Sequence, residues 1–233
     1  MTCRIIEERL IEAYTEALSP ESLQQFKGKD QGLAGVFLPH GAEEGIPLMI
    51  VGMETRSWNG HFSDVRNANL RTYIEASMNK HRAYLGVPVG KSSFGRFHQS
   101  CAQAFGVHRD RIGWGNLLAV SHNRRSPIGS DAMAAILDLS STLLRKQLEI
   151  IKPKAVIFVS GWRYDKFLKR SLDGLISGSQ VHESKALWEF KLGDTRCFRT
   201  SHPRYVAGRR YRDEAIRLIR DGAEWDRSSF YEL

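Results

Sequence analysis

Residues 155–161 read AVIFVSG, an apolar run that ends in serine and glycine. Such a run is typical of a strand buried on both faces, because strands covered by helices on both sides carry apolar residues without alternation. Pro153 precedes it and ends the strongest helical period of the chain, at residues 133–151. We therefore predict a central β-strand that follows a long amphipathic helix.

Strands and helices alternate on both sides of this pair. The other predicted strands are 47–52, 111–121 and the hairpin 187–200, which turns at Gly193-Asp194. The other predicted helices are the N-terminal segment as far as Ser19, residues 70–78, 94–105 and 162–172, and the closing helix 208–222. This alternation favours a three-layer α/β/α fold, with an open, mostly parallel central sheet that has helices on both faces.

Length and composition predict one domain over residues 1–233, with a helix and lead-in at 1–46 and a core at 47–220. No apolar run is long enough to cross a bilayer, so we expect no membrane association. The first residues, MTCRIIEERLIEAY, carry acidic side chains where a signal peptide is apolar, which favours a cytoplasmic protein. The three cysteines are widely spaced, so we expect buried or idle thiols, no metal site and no cofactor.

Positive charge is concentrated near the C-terminus. The chain has 34 Lys and Arg against 26 Asp and Glu, a net charge of +8, and residues 195–212 contain six arginines and no acid. Such a segment favours a polyanionic partner, because phosphates neutralised by cations release counterions. We expect DNA as the partner of a monomer. The alternative is a solvated basic face that serves solubility.

Ligands of open α/β sheets bind outside the carboxyl ends of the strands. That rule predicts that four segments face one cleft: the loop after strand 47–52, the end of GWGNLL, the turn after AVIFVSG, and His202 after the last strand. Other motifs fail. VPVGKSS is similar to a phosphate-binding P-loop, but Leu85 stands where the first glycine is needed and the segment follows a helix rather than a strand.

Four stretches then resemble the uracil-DNA glycosylase superfamily in order and spacing: PLMIVGMET, GWGNLLAVSHNRRSP, KPKAVIFVSGW and TSHPRYVAG. In that family one strand ends in a Gly-Gln-Asp-Pro-Tyr or Gly-Glu-Ala-Pro-Gly loop, a second carries an asparagine, a third follows Lys-Pro, and a His-Pro-Ser turn follows the last. The resemblance covers about residues 47–220. It implies a monofunctional DNA glycosylase, a hydrolase that flips a base out of DNA and excises it.

The resemblance implies that Glu54 orients or activates water, that His202 stabilises the leaving base, and that Asn116 reads the base edge. Cleavage of an N-glycosidic bond gives chemical reasons for these residue types. Positive charge develops on the sugar and negative charge on the base, so a carboxylate and a hydrogen-bond donor are needed. The alternatives are a surface carboxylate for Glu54, a turn cap for His202 and a strand-end contact for Asn116.

Further side chains are candidates for contact with base or DNA. Trp58 and Phe62 are candidates for stacking on the flipped base, with core packing as the alternative, and Met53 lies beside Glu54 as a further base contact. Arg204 and Tyr205 stand where the family inserts a wedge into the duplex. The predicted DNA contacts are Arg56, Arg124, Arg125, Arg204, Tyr205, Arg209 and Arg210.

The pattern departs from the family at four positions. Met53 replaces Gln, Thr55 replaces Pro, Arg56 replaces Tyr or Gly, and Arg204 replaces Ser. Because that tyrosine excludes the methyl group of thymine in strict uracil enzymes, uracil specificity does not carry over. We expect a damaged base or a bulky modified base of the kind found in phage genomes. The alternatives are a DNA-binding module without catalysis and a nucleoside or nucleotide hydrolase.

Overall fold

The structure, a computed structural model, describes residues 3–41, 43–67 and 69–222. The predicted domain also includes residues 1–2 and 223–233, which lie outside this description, as does the side chain of Cys3. Within the described residues the α-helices are α1 Cys3–Ala17, α2 Pro20–Gln24, α3 Asp64–Asn67, α4 Leu70–Gly86, α5 Ser93–Phe105, α6 Met133–Ile151, α7 Asp165–Ser171 and α8 Arg209–Gly222. The strands are β1 Leu48–Glu54, β2 Ile112–Leu118, β3 Ala155–Phe158, β4 Ile176–Glu183, β5 Leu187–Leu192 and β6 Thr195–Arg199.

The six strands form one sheet in the order β2-β1-β3-β6-β5-β4. The pairs from β2 to β6 are parallel, whereas β5 and β4 add to the edge in antiparallel orientation. Helices connect the parallel strands because a parallel connection must return along the sheet. The predicted open, mostly parallel sheet of a three-layer α/β/α fold is confirmed.

Alternate residues of the central strands enter the two outer layers. Leu48 and Ile50 of β1 pack in the apolar cluster that includes residues of α5 and α8. Met49 and Val51 pack in the cluster on the other face, with residues of α6 and α7. Both faces of β1 are therefore covered, which explains why its sequence is apolar without alternation.

The predicted ends lie within three residues of those observed, except that the helix predicted at 70–78 continues to Gly86 as α4. The short helices α2 and α3 were not predicted. Two strands also differ from the prediction. β1 continues to Glu54, so this carboxylate ends a strand, opposite Leu118 of β2, and does not lie in the following loop. β4 was not predicted as a strand. Seven of its eight residues are exposed, so it lacks the apolar alternation from which strands are recognised.

The basic segment 195–212 is divided by the fold. Arg196 bonds to Glu189, and Arg199 and Arg212 are buried, at 4% and 5% exposure. The expectation of a single six-arginine surface is therefore wrong, because side chains that alternate along β6 and turn around α8 face different layers. The remaining arginines of the segment, Arg204, Arg209 and Arg210, are exposed.

Candidate active site

A cleft opens at the carboxyl edge of the sheet, where β1 and β2 end and where the chain leaves β6. Its volume is about 520 Å³, within the range of small-molecule sites. It is lined by residues 52–58, the residues 92–94 that open α5, and Tyr84, Trp114, Asn116, His202 and Arg204. Three of the four segments expected at this cleft line it, and the fourth, the turn after β3, contributes through Tyr164.

Asn116 lies directly beside Gly52 in the register of β2 and β1. A Cβ atom at Gly52 would lie 2.6 Å from Asn116 Oδ1 and 3.3 Å from Phe94 Cε2, so a glycine is required for the amide and the ring to approach the strand. Asn116 is 5% exposed, and its Nδ2 has no hydrogen-bond partner among the described residues. Because an unpaired buried donor costs about 1–3 kcal/mol, this amide is suited to a ligand that enters the cleft.

A tyrosine that follows β3 orients the carboxylate of Glu54. Tyr164 Oη donates a hydrogen bond to Glu54 Oε2 at 2.9 Å and lies 3.0 Å from Ser126 Oγ. Burial raises the pKa of Glu54, and the Tyr164 hydrogen bond and the charges of Arg204 and Arg56 oppose that rise. Burial also raises the pKa of Tyr164 to about 12, so the phenol keeps its proton and remains a donor. The carboxylate is therefore oriented and more basic than an exposed one.

His202 is neutral over the physiological pH range. Burial, followed by the charges of Arg204, Arg212 and Arg56, lowers its pKa to about 4. The backbone N–H of Arg204 donates to His202 Nδ1 at 3.2 Å. Because an N–H cannot accept, Nδ1 is the acceptor and the neutral ring carries its hydrogen on Nε2. His202 therefore presents one N–H donor and no charge.

The turn that carries His202 is fixed by Arg212 of α8. Arg212 Nη1 donates to Ser201 Oγ at 2.9 Å and to the Tyr205 carbonyl at 3.2 Å. Gly208 packs against the same turn, since a Cβ atom there would lie 2.8 Å from Ser201 Cβ. Arg212 is therefore a positioning residue, one that the sequence analysis counted only as part of a basic patch.

Aromatic rings form one wall of the cleft, and only one of the two expected rings is among them. Phe94 lies 4.8 Å from Trp114 and 6.4 Å from His202 between ring centroids, and its ring is inclined by 29° to that of His202. Trp58 lines the cleft, although its Nε1 donates to Ser77 Oγ at 2.7 Å. Phe62 does not line it. That ring is 0% exposed and packs against Phe26, so the expectation that it stacks on a base is corrected.

Met53, Arg56 and Arg204 line the cleft, and the last two bring positive charge to it. Arg124 lines a neighbouring groove that shares Ser57 and Trp58 with the cleft. The other predicted DNA contacts lie outside the lining and are exposed: Arg125, Tyr205, Arg209 and Arg210. Arg209 lies 3.6 Å from Asp213, and Arg210 contacts Tyr211, so both belong to the exposed side of α8.

Phe94, Tyr164 and Arg212 are residues of the site that the sequence analysis did not select. Phe94 is the first residue of the predicted helix 94–105, and Ser92 caps α5 by accepting from the Gly95 N–H, so the helix begins at the cleft. Tyr164 follows the carboxyl end of β3, so the rule that ligands bind outside the carboxyl ends of strands could have identified it. No feature of the sequence marks Arg212, because the packing of α8 decides that this one of the six arginines is buried.

Within the described residues, no cluster of three or more His, Cys, Asp and Glu side chains is arranged to hold a metal ion. Among the helices of the described ranges, none combines the length and the apolar character needed to cross a membrane. In comparisons with known proteins, no family model matches the chain and no curated protein matches it significantly.

Proposed function

We propose that this protein is a DNA glycosylase that binds a flipped nucleotide in the cleft and hydrolyses its N-glycosidic bond. The proposal depends on one observation. Glu54, Asn116 and His202, from three of the four parallel strands, line a single cleft, and the fourth strand leads to Tyr164, which holds Glu54. The resemblance of the sequence to the uracil-DNA glycosylase superfamily supports the same chemistry at the same residues.

Glu54 acts on the water in this mechanism. As the C1′–N bond breaks, the water oxygen bonds to C1′ and one water proton passes to the Glu54 carboxylate, which the Tyr164 hydroxyl orients. The electron pair of the broken bond leaves with the base, which then takes a proton. The products are an abasic site and a free base. The raised pKa of Glu54 makes the carboxylate a better proton acceptor than an exposed one.

His202 acts on the base. Its Nε2–H donates to the base atom on which negative charge develops, and no proton needs to transfer. A neutral donor is suitable because a group already in place needs little reorganisation as the charge appears. Arg204 and Arg56, which lower the pKa of His202, also add positive potential to the cleft that receives an anionic leaving group.

Phe94 and Asn116 hold the flipped base. Phe94 and Trp114 offer aromatic surface against one face of the base, and the Asn116 amide offers a donor and an acceptor to its edge. The side chains beside Glu54 differ from those of the family that the sequence resembles, with Met53, Thr55 and Arg56 at the changed positions. We therefore propose a damaged or modified base as the substrate.

A screen for released bases tests the proposal. Modified and unmodified DNA is incubated with the protein in EDTA, and the supernatant is analysed by mass spectrometry, with abasic sites revealed by alkali. We expect base release that persists in EDTA and strand cleavage only after alkali. Glu54→Gln should lower the rate of release about 100- to 1000-fold, whereas Glu149→Gln, at an exposed carboxylate of α6, should not change it.

Three other results would contradict the proposal. Tight DNA binding with no released base would indicate a binding module. Release from free nucleosides but not from DNA would indicate a small-molecule hydrolase. Strand cleavage without alkali would indicate a lyase or nuclease reaction.

A further inference from the structure

Trp162 is an exposed aromatic side chain at the carboxyl end of β3. It follows Gly161, whose φ of 74° turns the chain out of the strand, and 46% of its surface is exposed. β3 itself is fully buried. An indole of this size, exposed at the edge where ligands bind, gives a flat apolar surface to a partner.

Two cations flank the Trp162 ring. Lys185 Nζ lies 5.1 Å from the ring centroid, and Arg163 Cζ lies 5.5 Å from it. Both side chains are exposed. Aromatic surface combined with positive charge is the combination with which proteins hold single-stranded nucleic acid, because every base has a π-face and every nucleotide a phosphate.

Arg199, which is 4% exposed, joins the two segments that carry these side chains. Its Nη1 donates to the Lys185 carbonyl at 2.9 Å, and its Nη2 donates to Asp165 Oδ2 at 3.0 Å. Asp165 begins α7, three residues after Trp162. One buried guanidinium therefore fixes the positions of both segments, so the ring and the cations are held in advance of binding.

This surface adjoins the candidate active site. The Gly161 N–H donates to the Thr200 carbonyl at 2.9 Å, two residues before His202. On the other side, Tyr164 donates to Glu54. Trp162 therefore lies between Gly161, which bonds to the strand end before His202, and Tyr164, which bonds to Glu54.

We propose that Trp162, with Lys185 and Arg163, is a stacking platform for an unpaired nucleobase next to the flipped nucleotide. The inference rests on the proposed function, and it specifies single-stranded DNA, or a locally melted strand, as the form of the substrate. A base that is stacked and paired within a duplex cannot present its face to the indole. The neighbouring cations bind the phosphates of the same strand.

Binding of a 15-nucleotide single strand and of its duplex tests this platform. Loss of stacking on one base lowers affinity about 5- to 150-fold. We expect that Trp162→Ala weakens single-strand binding by that factor, with a smaller effect on the duplex, and that Trp162→Phe restores most of it. Lys185→Ala should lower the slope of log affinity against log salt by about 0.7. Leu175→Ala, at another exposed apolar residue, is the matched control.

The outcomes separate this inference from the proposed function. If the wild type binds DNA and releases base while Trp162→Ala binds both forms as the wild type does, the platform is wrong and the glycosylase proposal stands. Equal losses for single strand and duplex would also overturn it. If the wild type binds single strands through Trp162 but releases no base, the platform stands and the glycosylase proposal is wrong. If the wild type binds neither form, both are wrong.

Discussion

Two regions of this protein contain histidines that are neutral at pH 7, and only one opens to solvent. His202 lies at the cleft, where burial lowers its pKa to about 4. His81 of α4 lies behind the cleft, is 1% exposed and contacts Phe37, His40 and Trp114. Burial, with smaller effects from neighbouring histidines and arginines, also lowers its pKa well below the usual value.

The hydrogen bonds of the two rings distinguish them. Nδ1 of His202 accepts from the Arg204 N–H, which leaves a defined donor on a ring that lines an open cleft. Neither ring nitrogen of His81 has a hydrogen-bond partner among the described residues. Trp114 contacts His81 and also lines the cleft, so it separates the two regions. A lowered histidine pKa is therefore insufficient to identify a catalytic residue, and access together with a fixed tautomer is needed as well.

The largest expected effect is on catalysis. His202→Ala and Glu54→Ala should each lower the single-turnover rate of excision about 100- to 1000-fold, because each removes a preorganised group that acts on developing charge. DNA affinity should remain within a few-fold of wild type. His81→Leu, which removes the histidine behind the cleft and leaves His202 in place, should change the excision rate much less. Comparable losses in the His81 and His202 variants would remove the distinction between the two regions.

Asn116→Asp should change the choice of base. An ionised aspartate accepts hydrogen bonds but does not donate them. Excision of bases with a carbonyl opposite Nδ2 should therefore lose about 1–3 kcal/mol of transition-state stabilisation. Excision of bases with an exocyclic amine should be unchanged or faster. Excision is compared across uracil, cytosine and their 5-substituted forms. A uniform loss over this panel would indicate that Asn116 serves only the end of β2.

Both histidines should affect the pH dependence of the unfolding free energy, although only His202 is expected to affect activity. Since the folded pKa of each histidine lies below the unfolded value of about 6.5, the unfolded state binds an extra proton for each as pH falls below that value. Unfolding free energy should then fall by about 1.4 kcal/mol per pH unit for each such histidine. Urea denaturation between pH 7 and 5 should show a shallower fall for His81→Leu and for His202→Ala than for the wild type. Unchanged slopes would contradict the burial argument.

The smallest expected effect concerns three exposed arginines, one that lines the cleft and two on the exposed side of α8. Arg204, Arg209 and Arg210 are exposed, and removal of one should reduce the slope of log affinity against log salt for duplex DNA by about one unit. Arg220→Ala, at the other end of α8, is the matched control and should leave the slope unchanged. Equal slopes in all variants would show that these three arginines do not contact DNA.

Much of the site was predictable because it follows from strand order in the chain. Glu54 follows the predicted strand 47–52, Asn116 lies near the end of GWGNLL, and His202 follows the last predicted strand, so the rule for open sheets brings them to one edge. The aromatic wall was less predictable. Phe62 and Phe94 are both phenylalanines near polar loops. The packing of α5 against β2 places Phe94 at the cleft, whereas contact with Phe26 places Phe62 in the core.

The sequence by itself determined the layers of the fold. Apolar runs without alternation specify strands covered on both faces, and the period of residues 133–151 with Pro153 specifies where α6 ends, because these depend on local geometry and on solvent. Only the tertiary structure decided which polar groups are accessible. Arg204 and Arg212 have the same chemistry and lie in one basic segment, yet one lines the cleft and the other is buried beneath its turn. That difference depends on contacts between residues distant in the chain, which no local pattern contains.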